Sequence, residues 1–227
     1  MKYTWLLFDA DGTLFDYEKA EQAAVQQTFE YFRLRFEPAY REIYQRINHR
    51  LWLEFEKGLI KSEVLRIKRF ELLFAEIGAS FDSKMFSDRY LIHLANASEL
   101  MDGASEVVQQ LHSQYQLGLI TNGLKDVQRS RLMQSVLKDA FAAFVISEEV
   151  GTAKPAPAIF DAAFQQMGNP ARDQVLIIGD SLTSDMQGGN NYGIDTCWFN
   201  PTHASRDPNI TLTYEIAHLT ELLQLLK

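Results

Sequence analysis

At 227 residues the chain is longer than a usual single domain and too short for two of full size, so a core domain carrying a smaller insert is the expected plan. Hydrophobic residues at 46% and charged residues at 23% are typical of a soluble globular chain and provide enough apolar mass for a packed core. Lys and Arg number 22 against 30 Asp and Glu, and the net charge of −8 argues against nucleic acid as a partner, while a small phosphate held by local donors or a metal ion stays compatible.

Residues 3–8 form a short apolar run that Asp9 breaks, too short for a signal-peptide core or a membrane span but suited to a strand buried on both faces. The expectation is a soluble cytoplasmic protein with no membrane partner, either a monomer or a homodimer. From residue 16 to residue 98 the pattern changes, with apolar residues recurring at three and four. Residues 21–36 make one amphipathic window. Pro38 suits a first helical turn, and Ile43, Ile47, Leu51 and Phe55 then mark one face up to Gly58. Ser62 is a candidate cap for a third helix running toward Gly78, and Asp82 for a fourth that carries Met85, Phe86, Tyr90, Leu91 and Leu94. Four helices over 16–98 therefore predict an all-helical cap domain, with 1–15 and 99–227 as the core. Residues 116–121, 143–147, 174–179 and 196–200 repeat the buried-strand pattern in alternation with helical segments, which predicts an α/β fold with a doubly wound parallel sheet. Its ligands are expected beyond the carboxyl ends of the strands, beneath the cap. Cys197, the single cysteine, leaves no disulfide and no Cys-based zinc site, and the five scattered histidines offer no metal-binding pair.

Each strand end carries chemistry. The first reads LLFDADGTLFD, where Asp9 and Asp11 flank Ala10 and can project to one side of extended backbone. Two carboxylates that close repel unless a proton or a cation intervenes, and oxygen-only ligands favour Mg²⁺, with Mn²⁺ as a substitute in vitro. Gly12 admits a backbone conformation that a side chain would resist and lets a ligand approach the amides. Thr121, Asn122 and Gly123 then offer a hydroxyl and backbone N–H groups suited to phosphoryl oxygens. Lys154, in VGTAKPAP, sits in a loop that prolines stiffen. Finally Asp180 and Asp185 follow VLIIG, with Asp180 the favoured metal ligand of the two.

At these residues the sequence resembles the haloacid dehalogenase-like superfamily of phosphohydrolases, whose four motifs match Asp9-Ala10-Asp11-Gly12-Thr13, Thr121, Lys154 and Gly179-Asp180 through Asp185. The resemblance implies a Rossmann-like core under a helical cap. It makes Asp9 a nucleophile that becomes phosphorylated and Asp11 the general acid and base. Thr121 and Lys154 become phosphate binders with Asn122 beside them, and Mg²⁺ lies among Asp9, Asp11 and Asp180. Asp185 is left as a further ligand, a support for one, or a restraint on Lys154. Finer features, LWLEFEKG at 51–58, ITNG at 120–123, SEEVG at 147–151 and DTCWFN at 195–200, are similar to bacterial pyrimidine 5′-nucleotidases, implying a nucleoside monophosphate as substrate. Phe15, Tyr44 and Trp52 are candidates for stacking on its base. Rival readings are a small sugar-phosphate or phosphoglycolate phosphatase, a phosphomutase, a dehalogenase, and a receiver-like module that holds an aspartyl phosphate without turnover. The second acid Asp11 argues against a halide leaving group, which needs no proton, and the cap argues against a receiver.

Overall fold

The computed structural model describes residues 2–227. Strand β1 (Trp5–Phe8) leads through Asp16 into four helices, α1 (Tyr17–Tyr31), α2 (Pro38–Glu56), α3 (Ser62–Glu76) and α4 (Ser83–Ala95). The chain then returns as α5 (Ala104–His112), β2 (Gln116–Thr121), α6 (Lys125–Gln134), β3 (Ala143–Ile146), α7 (Ser147–Val150) and α8 (Pro157–Gln166). It ends with β4 (Val175–Gly179), a π-helical turn (Leu182–Met186), α9 (Gln187–Tyr192), β5 (Asp195–Phe199), β6 (Tyr214–Ile216) and α10 (Leu222–Leu225). The six strands form one parallel sheet in the order β3-β2-β1-β4-β5-β6. The order reverses direction at β1, so the carboxyl end of that strand opens onto the crevice where doubly wound sheets hold ligands.

Alternation of side chains explains why both faces are covered. Leu6 and Phe8 of β1, with Leu117, Leu119, Leu176 and Ile178 of its neighbours, point into one apolar layer against α5 and α10. Leu7, Ile120, Val145 and Ile177 point into the other, against Ile159, Phe160 and Ala163 of α8. Strand β6 escapes sequence reading because its three residues alternate in exposure at the sheet edge and follow a long polar loop.

The helical cap has its own core. Phe86 sits at its centre, with ring centroids 5.0 Å from Phe29, 4.9 Å from Phe70 and 5.1 Å from Phe74. Asp82 caps α4 as expected, its carboxylate accepting from the Met85 amide at 2.9 Å. Three local expectations are corrected. Helix α1 starts four residues before the amphipathic window because Asp16 caps it, accepting from Lys19 N, and it ends at Tyr31, before Arg33 turns to positive φ. Lys61 rather than Ser62 occupies the cap position of α3, and Ser62 is buried as the first helical residue. Met85 faces solvent, 52% exposed, because it lies off the stripe formed by Phe86, Tyr90 and Leu94.

The two chain connections between cap and core lie side by side. Asp16 N donates to Glu99 O at 3.0 Å and Met101 N to Leu14 O at 2.9 Å, while Phe15 bridges Leu100. Leu124 and Val127, at the start of α6, extend the cap's apolar cluster onto the core. Within the cap, Asn48 Nδ2 donates to Glu21 Oε1 at 2.5 Å and to the Tyr17 hydroxyl at 3.2 Å, and Arg69 Nη1 donates to Asn48 Oδ1 at 3.3 Å.

Truncating Phe86 to Ala should cost about 3–5 kcal/mol, the usual range for an emptied aromatic site, measured by denaturant unfolding. Burial pushes the Glu21 carboxyl up to about 7 despite its hydrogen bonds from Tyr17 and Asn48 and the nearby Arg69 charge. The folded protein therefore keeps a proton there that the unfolded chain loses above its ordinary carboxylate range, and stability from this group falls as pH rises from about 4.5 to about 7. Glu21→Gln should flatten that part of the pH dependence of the melting temperature.

Candidate active site

The site starts with the way β1 ends. Asp9 N still donates to Ile178 O, at 2.8 Å, and then the chain folds back so that Leu14 N and Phe15 N both donate to Ala10 O at 2.9 Å. Gly12 turns this corner at φ +84°, and a Cβ built on it would lie 2.5 Å from Asp180 Oδ2. Glycine is thus required twice, for the backbone angle and for the approach of the β4 loop. At the end of β4 a Cβ on Gly179 would fall 2.3 Å from Asp185 Cγ, so the bare backbone there lets Asp185 fold over the strand end.

Lys154 lies at the middle. Its ammonium is buried and donates to Asp9 Oδ1 at 2.5 Å, to Asp185 Oδ1 at 2.6 Å and to Ile120 O at 2.9 Å. Three acceptors saturate its three donors. Burial works against the charged amine, but Asp185 and Asp9 outweigh it and hold Lys154 above its ordinary range. Asp185 is in turn fixed by Ser181 N, which donates to Oδ2 at 3.1 Å. Asn122 clamps the lysine's backbone on both sides, accepting from Lys154 N at 2.8 Å and donating to Lys154 O at 2.9 Å. Its side chain therefore secures the loop, whereas the expectation placed it beside the phosphate. Thr121 is buried at the cleft, its Oγ1 accepting from Gly123 N at 3.1 Å.

Asp9, Asp180 and Asp185 each offer a carboxylate oxygen, all within 4.8 Å of one another. Burial pushes the Asp9 carboxyl up, Lys154 pulls it back, and the charges of Asp185 and Asp180 push it up again. Asp180 opens onto the cleft but is enclosed elsewhere, and that enclosure with the charge of Asp185 pushes it up to about 7. Thr13 Oγ1 lies 3.3 Å from both Asp9 Oδ2 and Asp180 Oδ1, and Trp198 Nε1 holds the Asp180 carbonyl at 2.8 Å. Among the described residues Asp180 forms no ion pair, and the lysine accounts for Asp185 and one oxygen of Asp9. What faces the cleft is excess negative charge on oxygen donors alone, a set that fits a hard divalent cation on Asp9 and Asp180. Asp185, with both oxygens engaged, acts in this arrangement as the restraint on Lys154.

Asp11 is not brought into that cluster. It lines the same cleft, but its carboxylate turns to α6, accepting from Gln128 Nε2 at 2.6 Å and from Arg131 Nη1. The expectation of a third carboxylate on the metal is therefore not met by its side chain. Among the aromatic candidates Trp52 lines the cleft, whereas Phe15 and Tyr44 are buried, 1% exposed each, and face away from it. Sequence reasoning missed Tyr17 and Glu56, which form the cap wall of the cleft together with Trp52. Trp52 and Glu56 are one helical turn apart on α2, a spacing that places them on one face once the direction of that face is known.

A helical cap above a doubly wound sheet, with four acids and a lysine at the carboxyl ends of its central strands, defines a class of hydrolases. The chain belongs to the haloacid dehalogenase-like hydrolases, whose family model matches residues 6–199. It is 37% identical to pyrimidine 5′-nucleotidase PynA of Streptococcus pneumoniae, over 100% of this chain and 96% of that one. It is 36% identical to pyrimidine 5′-nucleotidase YjjG of Escherichia coli, over 100% of this chain and 99% of that one. The crystal structure of the HAD-hydrolase YfnB from Bacillus subtilis, bound to magnesium and showing interdomain movement, superposes with a TM-score of 0.94 at 35% identity over 100% of both chains.

Gly12→Ala drives a methyl group into Asp180 and strains a left-handed residue. A loss of magnesium affinity of about 10- to 100-fold, as for other disturbed supports of metal ligands, is expected by calorimetric titration.

Proposed function

We propose that the protein is a Mg²⁺-dependent phosphomonoester hydrolase that works through a phosphorylated Asp9, and that its substrates are pyrimidine nucleoside monophosphates. The observation that carries the reaction type is the convergence of Asp9, Lys154 and Asp180 at the mouth of the switch-point crevice, with a second carboxylate, Asp11, on the same wall. The substrate class is supported by full-length similarity to two pyrimidine 5′-nucleotidases and by a cleft whose cap wall presents Tyr17 and Trp52, flat rings suited to a base.

Lys154 holds Asp9 Oδ1, which leaves Oδ2 to attack phosphorus in line with the departing ester oxygen. The new bond joins Asp9 to the phosphoryl group, the bond from phosphorus to the ester oxygen breaks, and Asp11 supplies the proton that the nucleoside oxygen needs. Asp11, now a carboxylate, takes a proton from the water that attacks the phosphoaspartate, releasing inorganic phosphate and restoring both acids. Thr121, the Asn122 and Gly123 amides and the Lys154 charge face the equatorial oxygens. A divalent ion on Asp9 and Asp180 supplies positive charge that offsets the repulsion between the carboxylate and a phosphate dianion. Cap residues cover the leaving group and exclude bulk water.

A panel of pyrimidine and purine monophosphates, sugar phosphates and phosphoglycolate, assayed by phosphate release with Mg²⁺, tests the proposal. Pyrimidine monophosphates should give the highest kcat/KM, chelation should abolish turnover, and Asp9→Asn should be inactive while still folded by circular dichroism. Sugar phosphates ranking above the pyrimidine nucleotides would overturn the substrate class, and an active Asp9→Asn protein the mechanism.

A further inference from the structure

Arg131, on α6, is wholly buried and takes no part in the chemistry described above. Its guanidinium nevertheless touches three things that a cap enzyme must coordinate. Nη1 donates to Asp11 Oδ1, Nε donates to Ala97 O at 2.8 Å, and the guanidinium carbon lies 4.8 Å from the centre of the Phe15 ring. Phe15 belongs to the connection that enters the cap, and Ala97 to the one that leaves it. Asp11 is the only carboxylate paired with this arginine among the described residues, and Gln128 Nε2 holds the other carboxylate oxygen at 2.6 Å.

Three physical constraints make this more than a surface clamp. A buried guanidinium cannot shed its proton and is costly without a counter-charge, so Arg131 and Asp11 are bound to each other's position. The guanidinium is a rigid planar fork, so the direction of Nε toward Ala97 sets the direction of Nη1 toward Asp11. Proton delivery to a leaving group tolerates little misplacement, about 1 Å being enough to cost on the order of 100-fold in rate. A shift of the cap connections must therefore turn the fork, and the fork carries the carboxylate.

We propose that Arg131 is a positioning residue that ties the Asp11 carboxylate to both cap connections, so that movement of the cap and placement of the proton donor are a single event. This rests on the reading of Asp11 as the proton donor. Arg131→Lys keeps the charge but removes the fork, and Phe15→Leu loosens its seat without touching the bond to Asp11.

The test compares kcat/KM for the alkyl phosphate the protein hydrolyses best with kcat/KM for p-nitrophenyl phosphate, whose leaving group departs without a proton. This parameter covers steps up to phosphoenzyme formation, and the ratio of the two is independent of how much of a variant is folded. Asp11→Asn serves as the reference. In Arg131→Lys the alkyl-to-aryl ratio should fall by at least about 10-fold, within the range of a lost general acid, with a smaller fall in the same direction for Phe15→Leu. If Asp11→Asn lowers the ratio and Arg131→Lys leaves it at the wild-type value, the coupling is wrong and the proton-donor reading stands. If Asp11→Asn leaves the ratio unchanged, the proton-donor reading falls and the coupling with it.

Discussion

The molecule is organised around a buried ammonium ion. Lys154 is enclosed where β1, β2 and β4 end, and a charge there is tolerable only because Asp9 and Asp185 meet it at 2.5 and 2.6 Å and the Ile120 carbonyl takes its third proton. That requirement reaches outward. Asn122 must lock the lysine's backbone, Gly179 must be bare so that Asp185 can fold in, and Gly12 must be bare so that the β4 loop can approach the β1 loop. The nucleophile's orientation follows from a demand of stability before it serves catalysis, because one oxygen of Asp9 is committed to the lysine and the other is left toward the cleft.

The same charge count explains the division of labour among the acids. One lysine cannot balance Asp9, Asp180 and Asp185 together. The surplus falls on Asp180, which is open to the cleft and has only Thr13 within hydrogen-bonding reach of its carboxylate. Asp11, only two residues beyond Asp9, escapes the cluster because α6 provides it with a guanidinium and an amide. Four carboxylates in one crevice thus acquire different tasks from their partners, a division that residue type alone does not express.

The cap contributes in another way. It closes over an aromatic core of its own and hangs from two adjacent connections, an arrangement that permits movement as a unit about residues 15–16 and 99–101. Its face toward the core brings Trp52 and Glu56 from the end of α2 and Tyr17 from the start of α1. Burial and the nearby charge of Asp185 push the Glu56 carboxyl up, so this cap residue already lies within the field of the core's acids. The wall that meets the leaving group is thus separate from the floor that meets the phosphate, which lets one chemistry accept different esters.

Much of this was legible in the sequence because it depends on local rules. Short apolar runs ending in acids or glycine mark strands buried on both faces, and apolar residues at three and four mark the cap helices, so the α/β plan and the identities of Asp9, Asp11, Thr121, Lys154 and Asp180 follow from pattern and from the resemblance they carry. Which partners those side chains take did not follow. The pairing of Lys154 with Asp185, the turn of Asp11 toward Arg131, the engagement of Asn122 with the lysine loop and the burial of Phe15 and Tyr44 all join residues far apart in the chain, and the choice among such partners is made by packing and by the need to neutralise each buried charge. Local periodicity determines which elements form; only their assembly decides which charges face one another.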